Sequence, residues 1–459
     1  MMLLEPEWIE RLLSYKTIHV GYSGGLDSTV LLHQLAHIDQ LKNNISAVHV
    51  HHGLSANADE WQTHCELYCQ KLSIPLTVSR VKFDSSANIE ERARVARYAV
   101  FAECLDDHDC LVLAHHRDDQ AETLLLHLVR GTGVDGLAAM PVSRTLAKGH
   151  VLRPFLHLTR EDLASYARTH QLPWIDDESN LNIDYSRNYI RQRILPLLRV
   201  KWPNVVNNLA MCADHCQEAK LNLHVLASLD CDELTDTQLS MDALPLHEHS
   251  RLKNVLRVWL KQHGIQRPST RMLTSVMNDV ILAAPDRVPS VTWDNVTIRR
   301  YQRVLYLETQ CLNEIAHSKQ CVIDRSEFND RRDLNRQQAM TDKIWANFPS
   351  AMMLDDQICL QAIQSTVGLW IPAGSQVEVR YRQGGELFRW HGQTKELKKL
   401  FQQWQVPPWQ RHRVPLIYVN HRLQAVVGYA IADQGDALVD DQPRYVFSCT
   451  TRELLCHSR

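Results

Sequence analysis

Apolar residues in the first third of the chain follow two alternating spacings. At 17–22 (TIHVGY), 46–51 (SAVHVH), 76–81 and 110–114 (CLVLA) they alternate or cluster among β-branched and aromatic neighbours, which predicts strands. At 28–40, 59–72, 90–105 and 118–130 they recur every three or four positions, which predicts helices. Strands and helices taking turns in this way predict an α/β domain, a parallel sheet with helices on both faces. Ligands of such sheets bind at the carboxyl ends of the strands, so the chemistry is expected in the segments that follow them.

Beyond Pro141 the alternation loosens. Residues 159–170 (TREDLASYARTH) predict a helix capped by Thr159 or a neighbour, and helical spacing continues to about 225 and again from 242 to 279. Residues 296–308 alternate like strands, whereas 313–365 carry no clear period and are expected to be an irregular connection. From 366 onward Val377, Val379 and Tyr381 alternate, Gly384-Gly385 marks a turn, 394–404 predict a short basic helix, and 416–419 and 424–430 predict strands. The expected organisation is therefore a nucleotide-binding catalytic domain at 1–215, a mostly helical middle domain at 216–312, the connection at 313–365, and a small α+β domain at 366–459.

Composition narrows the classes. With 44% apolar and 22% charged residues over 459 positions, the chain is neither disordered nor low-complexity. It holds no apolar run of the ~18 residues a membrane helix needs. Its first residues include Glu5, Glu7 and Glu10, unlike a secretory leader, so the expected location is the cytoplasm. Twelve cysteines without a C-x-x-C argue against a disulfide framework or a zinc ribbon. A net charge of −3 argues against indiscriminate coating of nucleic acid. Two local patches stand out against it. Residues 187–201 hold five basic residues and no acid, and 380–413 hold eight basic residues against Glu386 and Glu396, with Phe388, Trp390, Trp404 and Trp409 interleaved. Basic groups bind phosphates, and aromatic faces stack on unpaired bases.

The strongest chemical signal is Gly21-Tyr22-Ser23-Gly24-Gly25-Leu26-Asp27-Ser28-Thr29, between the first strand and the first helix. Paired glycines let backbone N–H groups turn inward as an anion nest, and the helix start adds its positive end. The Walker lysine is missing, and an acid, Asp27, stands in the loop instead, as suits a magnesium ion bridging it to phosphates. After the fourth strand, Asp119 and Glu122 lie three apart at a helix start. They could cap that helix, hold magnesium, or accept a proton from an attacking amine. Arg94 and Arg97 share one face of the third helix, either solvated or holding a phosphate at a pocket rim.

The S-G-G-x-D-S loop resembles that of the PP-loop ATP pyrophosphatases, which implies cleavage of ATP between the α and β phosphates. In those families the second strand end lies beside the nucleotide, which implies that Gly53 lets adenine or ribose approach. The segment His115–Glu122 with Arg130–Gly133 and Leu137, then Trp174–Asn180 and Tyr185–Arg191, and later Lys395–Leu400 with Val406-Pro407-Pro408-Trp409, together resemble the tRNA(Ile)-lysidine synthetase family. The resemblance spans most of the chain and is weakest from about 225 to 365. It implies an ATP-dependent ligase that adenylates carbon 2 of the wobble cytidine of the CAU-anticodon isoleucine tRNA and lets free lysine displace AMP. It further implies an ATP loop of Ser23, Gly24, Gly25, Leu26, Asp27 and Ser28, with Asp27 on magnesium. Asp119 and Glu122 would handle lysine or magnesium, and Arg94 would support the adenylate. Arg187, Arg191, Lys395, Lys398 and Lys399 would contact tRNA. Whether the chain is a homodimer is open at this stage.

Overall fold

The computed structural model describes residues 2–53, 55, 57–81, 89–265, 268–309, 342–354, 358–433 and 443–451. The chain divides into two units, Met1–Asn278 and Asp279–Arg459.

The first unit is built on strands β1 (Thr17–Gly21), β2 (Ile45–His51), β3 (Leu76–Arg80), β4 (Asp109–Val112), β5 (Ser143–Leu146) and β6 (Gly149–Leu152). They form one sheet in the order β3-β2-β1-β4-β6-β5. All neighbours are parallel except the β5–β6 hairpin at the edge. Helices α1 (Pro6–Leu13), α2 (Leu26–Ala36), α3 (Ala58–Leu72), α4 (Ile89–Glu103) and α5 (Arg117–Val129) follow the expected alternation. The two faces bury separate cores. Ile18, Val20 and Val112 pack with Leu31, Leu35 and Cys65 on one side, while Val48, Leu111 and Val151 pack with Phe101 on the other. Sequential strands lie on opposite sides of β1, so the order reverses between β1 and β4, the crevice where such sheets bind ligands.

The hairpin β5–β6 went unread in the sequence because each strand is only four residues long, with a Gly at the turn. Gly149 is required there by close approach: a Cβ would stand 2.6 Å from the Asp109 carbonyl oxygen.

After the sheet come α6 (Val134–Leu137), α7 (Arg160–Thr169), α8 (Ser186–Tyr189), a π-helical turn Ile190–Ile194, α9 (Leu195–Lys201) and the long α10 (Val205–Asp230). Thr159 caps α7 as its sequence predicts: its hydroxyl accepts from the Asp162 N–H at 3.2 Å, and Asp162 accepts from the Thr159 N–H at 2.8 Å. Ile190, Leu195 and Val206 bury against Ala121 of α5, which pins this helical run over the start of α5. Helices His249–Gln262 and Thr270–Ser275 continue the helical middle region.

The second unit is mostly antiparallel sheet. Val377–Arg380 pairs with Leu416–Val419, which pairs with Arg422–Val426, and the helix Leu397–Gln403 packs Leu397, Leu400 and Phe401 into a small core with Phe388. The expected helix at 394–404 begins later than its spacing suggests, because Gln393–Glu396 pairs with Leu387–Trp390 as a hairpin. Much of the expected irregular connection lies outside the described residues. Its last part does not stay irregular: Ile358–Ser365 is a strand paired along its length with Arg444–Thr451. Local spacing missed it because its partner lies some 80 residues away. No described helix is long and apolar enough to cross a membrane.

Because the Gly149 position abuts backbone, Gly149→Ala must displace β4 or β6, at a cost of about 1–3 kcal/mol. The thermal midpoint of the first unit, followed by near-UV circular dichroism, is expected to drop by several degrees. An unchanged midpoint would contradict the packing described.

Candidate active site

The loop between β1 and α2 is held in shape by its own polar groups. Gly24 has φ +82°, and a Cβ there would stand 2.7 Å from Ile175 Cδ1 and 2.9 Å from Cys65 Sγ, so only glycine fits. Its carbonyl accepts from Ile175 N at 2.9 Å and from the Thr29 hydroxyl at 3.3 Å. The Ser28 hydroxyl donates to the Gly25 carbonyl at 3.0 Å and accepts from Ser23 N at 3.2 Å. Gly25 N donates to Ser23 Oγ at 3.3 Å. The two serines therefore shape the loop through hydrogen bonds within it. No side chain caps α2. Its first-turn N–H groups, from Leu26 through Ser28, are left for an anion.

Asp27 sits in that first turn, one-third exposed, and meets His116 from the β4–α5 junction. His116 Nε2 lies 3.5 Å from Asp27 Oδ2 and 3.5 Å from Asp119 Oδ2, and its Nδ1 lies 3.8 Å from Asp118 Oδ2. Burial opposes a charge on the ring, but Asp119, Asp27 and Asp118 outweigh it and push His116 up to about 9. His116 is therefore an imidazolium at neutral pH. Its neighbour His115 is driven well below its ordinary value by burial and stays neutral. The other oxygen of Asp27, Oδ1, is buried without a hydrogen-bond partner.

Asp119 and Glu122 do face one direction from α5, and two arginines meet them. Arg187 Nε donates to Glu122 Oε2 at 2.8 Å and its Nη2 to Asp119 Oδ1 at 2.9 Å. Arg191 Nε donates to Glu122 Oε1 at 2.6 Å and its Nη2 to Glu122 Oε2 at 2.9 Å and Asp119 Oδ1 at 3.3 Å. Glu122 is 1% exposed, while Arg187 and Arg191 are 23% and 28% exposed. Burial works against the Asp119 charge, yet His116, Arg187 and the neighbouring cations hold it below the ordinary carboxylate range. Asp119 also accepts from His116 N at 3.0 Å, so it caps α5 as well. Arg199 pairs with Asp118. Three of the five basic residues at 187–201 are thus matched by acids of α5, which a reading of that stretch alone misses because the acids lie 65 or more positions earlier.

Two other candidates sit apart from this cluster. Gly53, just past β2, has φ +66° and open space where a Cβ would be. Arg94 lies on α4 with its guanidinium 5.2 Å from the centre of the Tyr98 ring. Two further residues belong to this site: His116, visible in the sequence in the His-His pair at the strand end, and Ile175, within the 174–180 segment, whose N–H anchors the Gly24 carbonyl.

In the second unit, Lys398 and Lys399 are exposed on the helix Leu397–Gln403, and Lys395 is half-buried in the preceding strand. Arg380 is spent on Glu378, and buried Arg411 on the Val406 carbonyl. The aromatics mostly pack on one another: Trp404 contacts Trp390 at 5.5 Å and stacks on Tyr429 at 5.7 Å, and Phe388 is core.

Comparison with known proteins covers both units. Residues 5–198 match the model of the PP-loop domain, 239–306 that of the TilS substrate binding domain, and 377–447 that of the TilS substrate C-terminal domain. A tRNA(Ile)-lysidine synthase of Legionella pneumophila (strain Paris) is 47% identical over 94% of this chain and 95% of its own. One of Coxiella burnetii is 39% identical over 94% and 93%, and one of Serratia proteamaculans 35% identical over 96% and 97%.

The position of His116 has a consequence for stability. The folded chain keeps this proton up to about pH 9. An unfolded histidine loses its proton near about 6.5. Between those values the folded state binds the extra proton, so its stability falls as pH rises. Unfolding midpoints measured from pH 6 to 9.5 are expected to decline across that window, and His116→Gln is expected to lose that part of the slope. Parallel profiles for the two proteins would refute the assignment.

Proposed function

The chain belongs to the tRNA(Ile)-lysidine synthase family, and from that membership we propose how its residues divide the reaction. It is a ligase that forms lysidine on tRNA(Ile) and uses ATP through its PP-loop domain. In our reading it adenylates the carbon-2 oxygen of the wobble cytidine of the CAU-anticodon tRNA and releases pyrophosphate. The ε-amine of free lysine then displaces AMP.

The observation that carries this reading is one turn of helix: the uncapped start of α2, with the unpartnered Asp27 Oδ1 beside it. The open N–H groups suit the phosphates of ATP. A buried carboxylate oxygen with no donor suits a cation, and magnesium is typically held by one or two carboxylates together with substrate phosphates. Among the described residues no group of three or more His, Cys, Asp or Glu side chains could hold a metal by itself, which agrees with a cation completed by phosphate and water. We assign magnesium to Asp27. When bound it offsets phosphate charge; His116, as an imidazolium, holds the Asp27 carboxylate in place from the other side.

Asp119 and Glu122 have their oxygens engaged by Arg187, Arg191 and His116, so we assign them to lysine rather than to metal. An ammonium group can take the place of one guanidinium on these acids without leaving any charge uncompensated. Arg187 and Arg191, each about a quarter exposed, are the groups that an arriving tRNA phosphate would draw outward. Arg94 is assigned to the phosphate of the adenylate, and Gly53 to the nucleoside side of ATP. We place catalysis in residues 1–215 and the distant grip on tRNA in residues 366–459, with Lys395, Lys398 and Lys399 in that grip.

Asp27→Asn keeps the side chain's shape and removes its charge. The folded variant is expected to lose AMP formation by a factor of about 100 or more, in the range found when one preorganised electrostatic group is removed. Near-normal AMP release would remove Asp27 from the site.

The elongator methionine tRNA carries the same CAU anticodon, so discrimination requires contacts elsewhere. Neutralising Lys395, Lys398 and Lys399 together is expected to lower kcat/KM for the isoleucine tRNA and to narrow its preference over the methionine tRNA. Labelled lysine incorporated into each purified transcript measures both. An equal fall for both tRNAs reduces the cluster to a non-selective anchor.

A further inference from the structure

Arginines near the active site fall into two groups. Arg187, Arg191 and Arg199 each meet an acid. Arg94, Arg144 and Arg153 instead gather on a single phenol. Tyr98 lies one helical turn beyond Arg94 on α4, so the two share a face. The Arg94 guanidinium is 5.2 Å from the centre of the Tyr98 ring, and that of Arg144, on β5, is 4.7 Å from it. Arg153, the residue after β6, is 2% exposed and donates from Nη1 to the Pro141 carbonyl at 2.7 Å. Its guanidinium interacts with the Tyr98 hydroxyl, while its Nε is buried without a close hydrogen-bond partner. Among the described residues no carboxylate pairs with any of the three.

Such a group is a poor stabilising device. A cation on an aromatic ring contributes about 0.5–2 kcal/mol. A buried charged donor left unsatisfied costs at least about 1–3 kcal/mol, and the three like charges also repel. Burial pulls Arg153 below its ordinary value, with Arg144 and Arg94 adding to it against the opposing Tyr98 phenol, while the three arginines overcome burial and lower Tyr98. An anion would offset these charges, and forked guanidinium donors gathered at one point match phosphate oxygens. Exposure grades inward, from exposed Arg144 through half-buried Arg94 to buried Arg153, so the anion enters from solvent.

The position identifies whose anion it is. Arg153 follows β6 and Arg144 lies one residue into β5, at the carboxyl edge of the sheet beside β4, and the Arg153 charge is felt at His115. The nucleotide's phosphates belong at α2 after β1. β6 is two strands from β1. That is about 10 Å at ordinary strand spacing. We propose that Arg144 and Arg153, with Arg94 shared with the adenylate, seat a backbone phosphate of the tRNA adjoining the nucleotide being modified. This rests on the reading that tRNA is the substrate. A fixed phosphate next to the splayed-out base sets which nucleotide of the loop reaches the adenylation site.

The test uses the full chain. Arg144→Gln removes an exposed side chain and leaves the core intact. Its tRNA affinity is expected to fall about tenfold, and the slope of log Kd against log salt to decrease by about one. ATP affinity without tRNA is expected to stay the same. Lys148→Gln, at the turn of the same hairpin and so at the other edge of the sheet, is expected to change neither. Arg153→Gln, if folded, is expected to cause a similar loss that does not add to that of Arg144→Gln, since both hold one phosphate. An unchanged salt slope for Arg144→Gln overturns the proposal, as does an equal effect from Lys148→Gln. Weakened ATP binding with intact tRNA binding also overturns it, by giving the anion to the nucleotide. Failure of the unaltered chain to bind tRNA would instead overturn the parent reading.

Discussion

Four acids drawn together at one helix start are the constraint around which the first unit is arranged. Asp27, Asp118, Asp119 and Glu122 cannot remain charged and largely buried unless cations meet them. His116, Arg187, Arg191 and Arg199 do so, four positive against four negative groups. Two of these cations come from the short helical turns at 186–194 and one from α9, so the polar demands of α5 explain why the helical run after the sheet folds back over it. The apolar contact of Ile190, Leu195 and Val206 with Ala121 supplies the adhesion. The ion pairs supply the register.

That cluster also separates two uses of charge on one sheet edge. On the β1–β4 side, anions and cations are balanced, and an incoming cation or anion must exchange with a resident one. On the β6–β5 side, around Tyr98, three arginines gather and no carboxylate among the described residues pairs with them. Under the proposed division of labour, the amine would meet the balanced side and the tRNA phosphate the arginine-rich one.

The α/β alternation, the Gly24-Gly25 loop and the Asp119–Glu122 pair were legible because each is written in a short window: a hydrophobic period, a glycine pair, an i,i+3 spacing. What could not be read is whatever depends on distant partners. The strand Ile358–Ser365 is specified by Arg444–Thr451, and the charge on Arg187 and Arg191 is answered by residues of α5. A window over 187–201 sees only a basic patch, though much of its charge is already neutralised.

The hydrogen bond from Ile175 N to the Gly24 carbonyl joins the nucleotide loop to a segment some 150 positions later. Both parts have little regular structure of their own, and the Gly24 carbonyl is held only by this bond and by the Thr29 hydroxyl. Local opening of the 174–178 segment therefore releases the loop as well, and the two behave as one cooperative unit in fluctuations too small to unfold the sheet. The shape of the β1–α2 loop is thus set in part by the chain's return from α7.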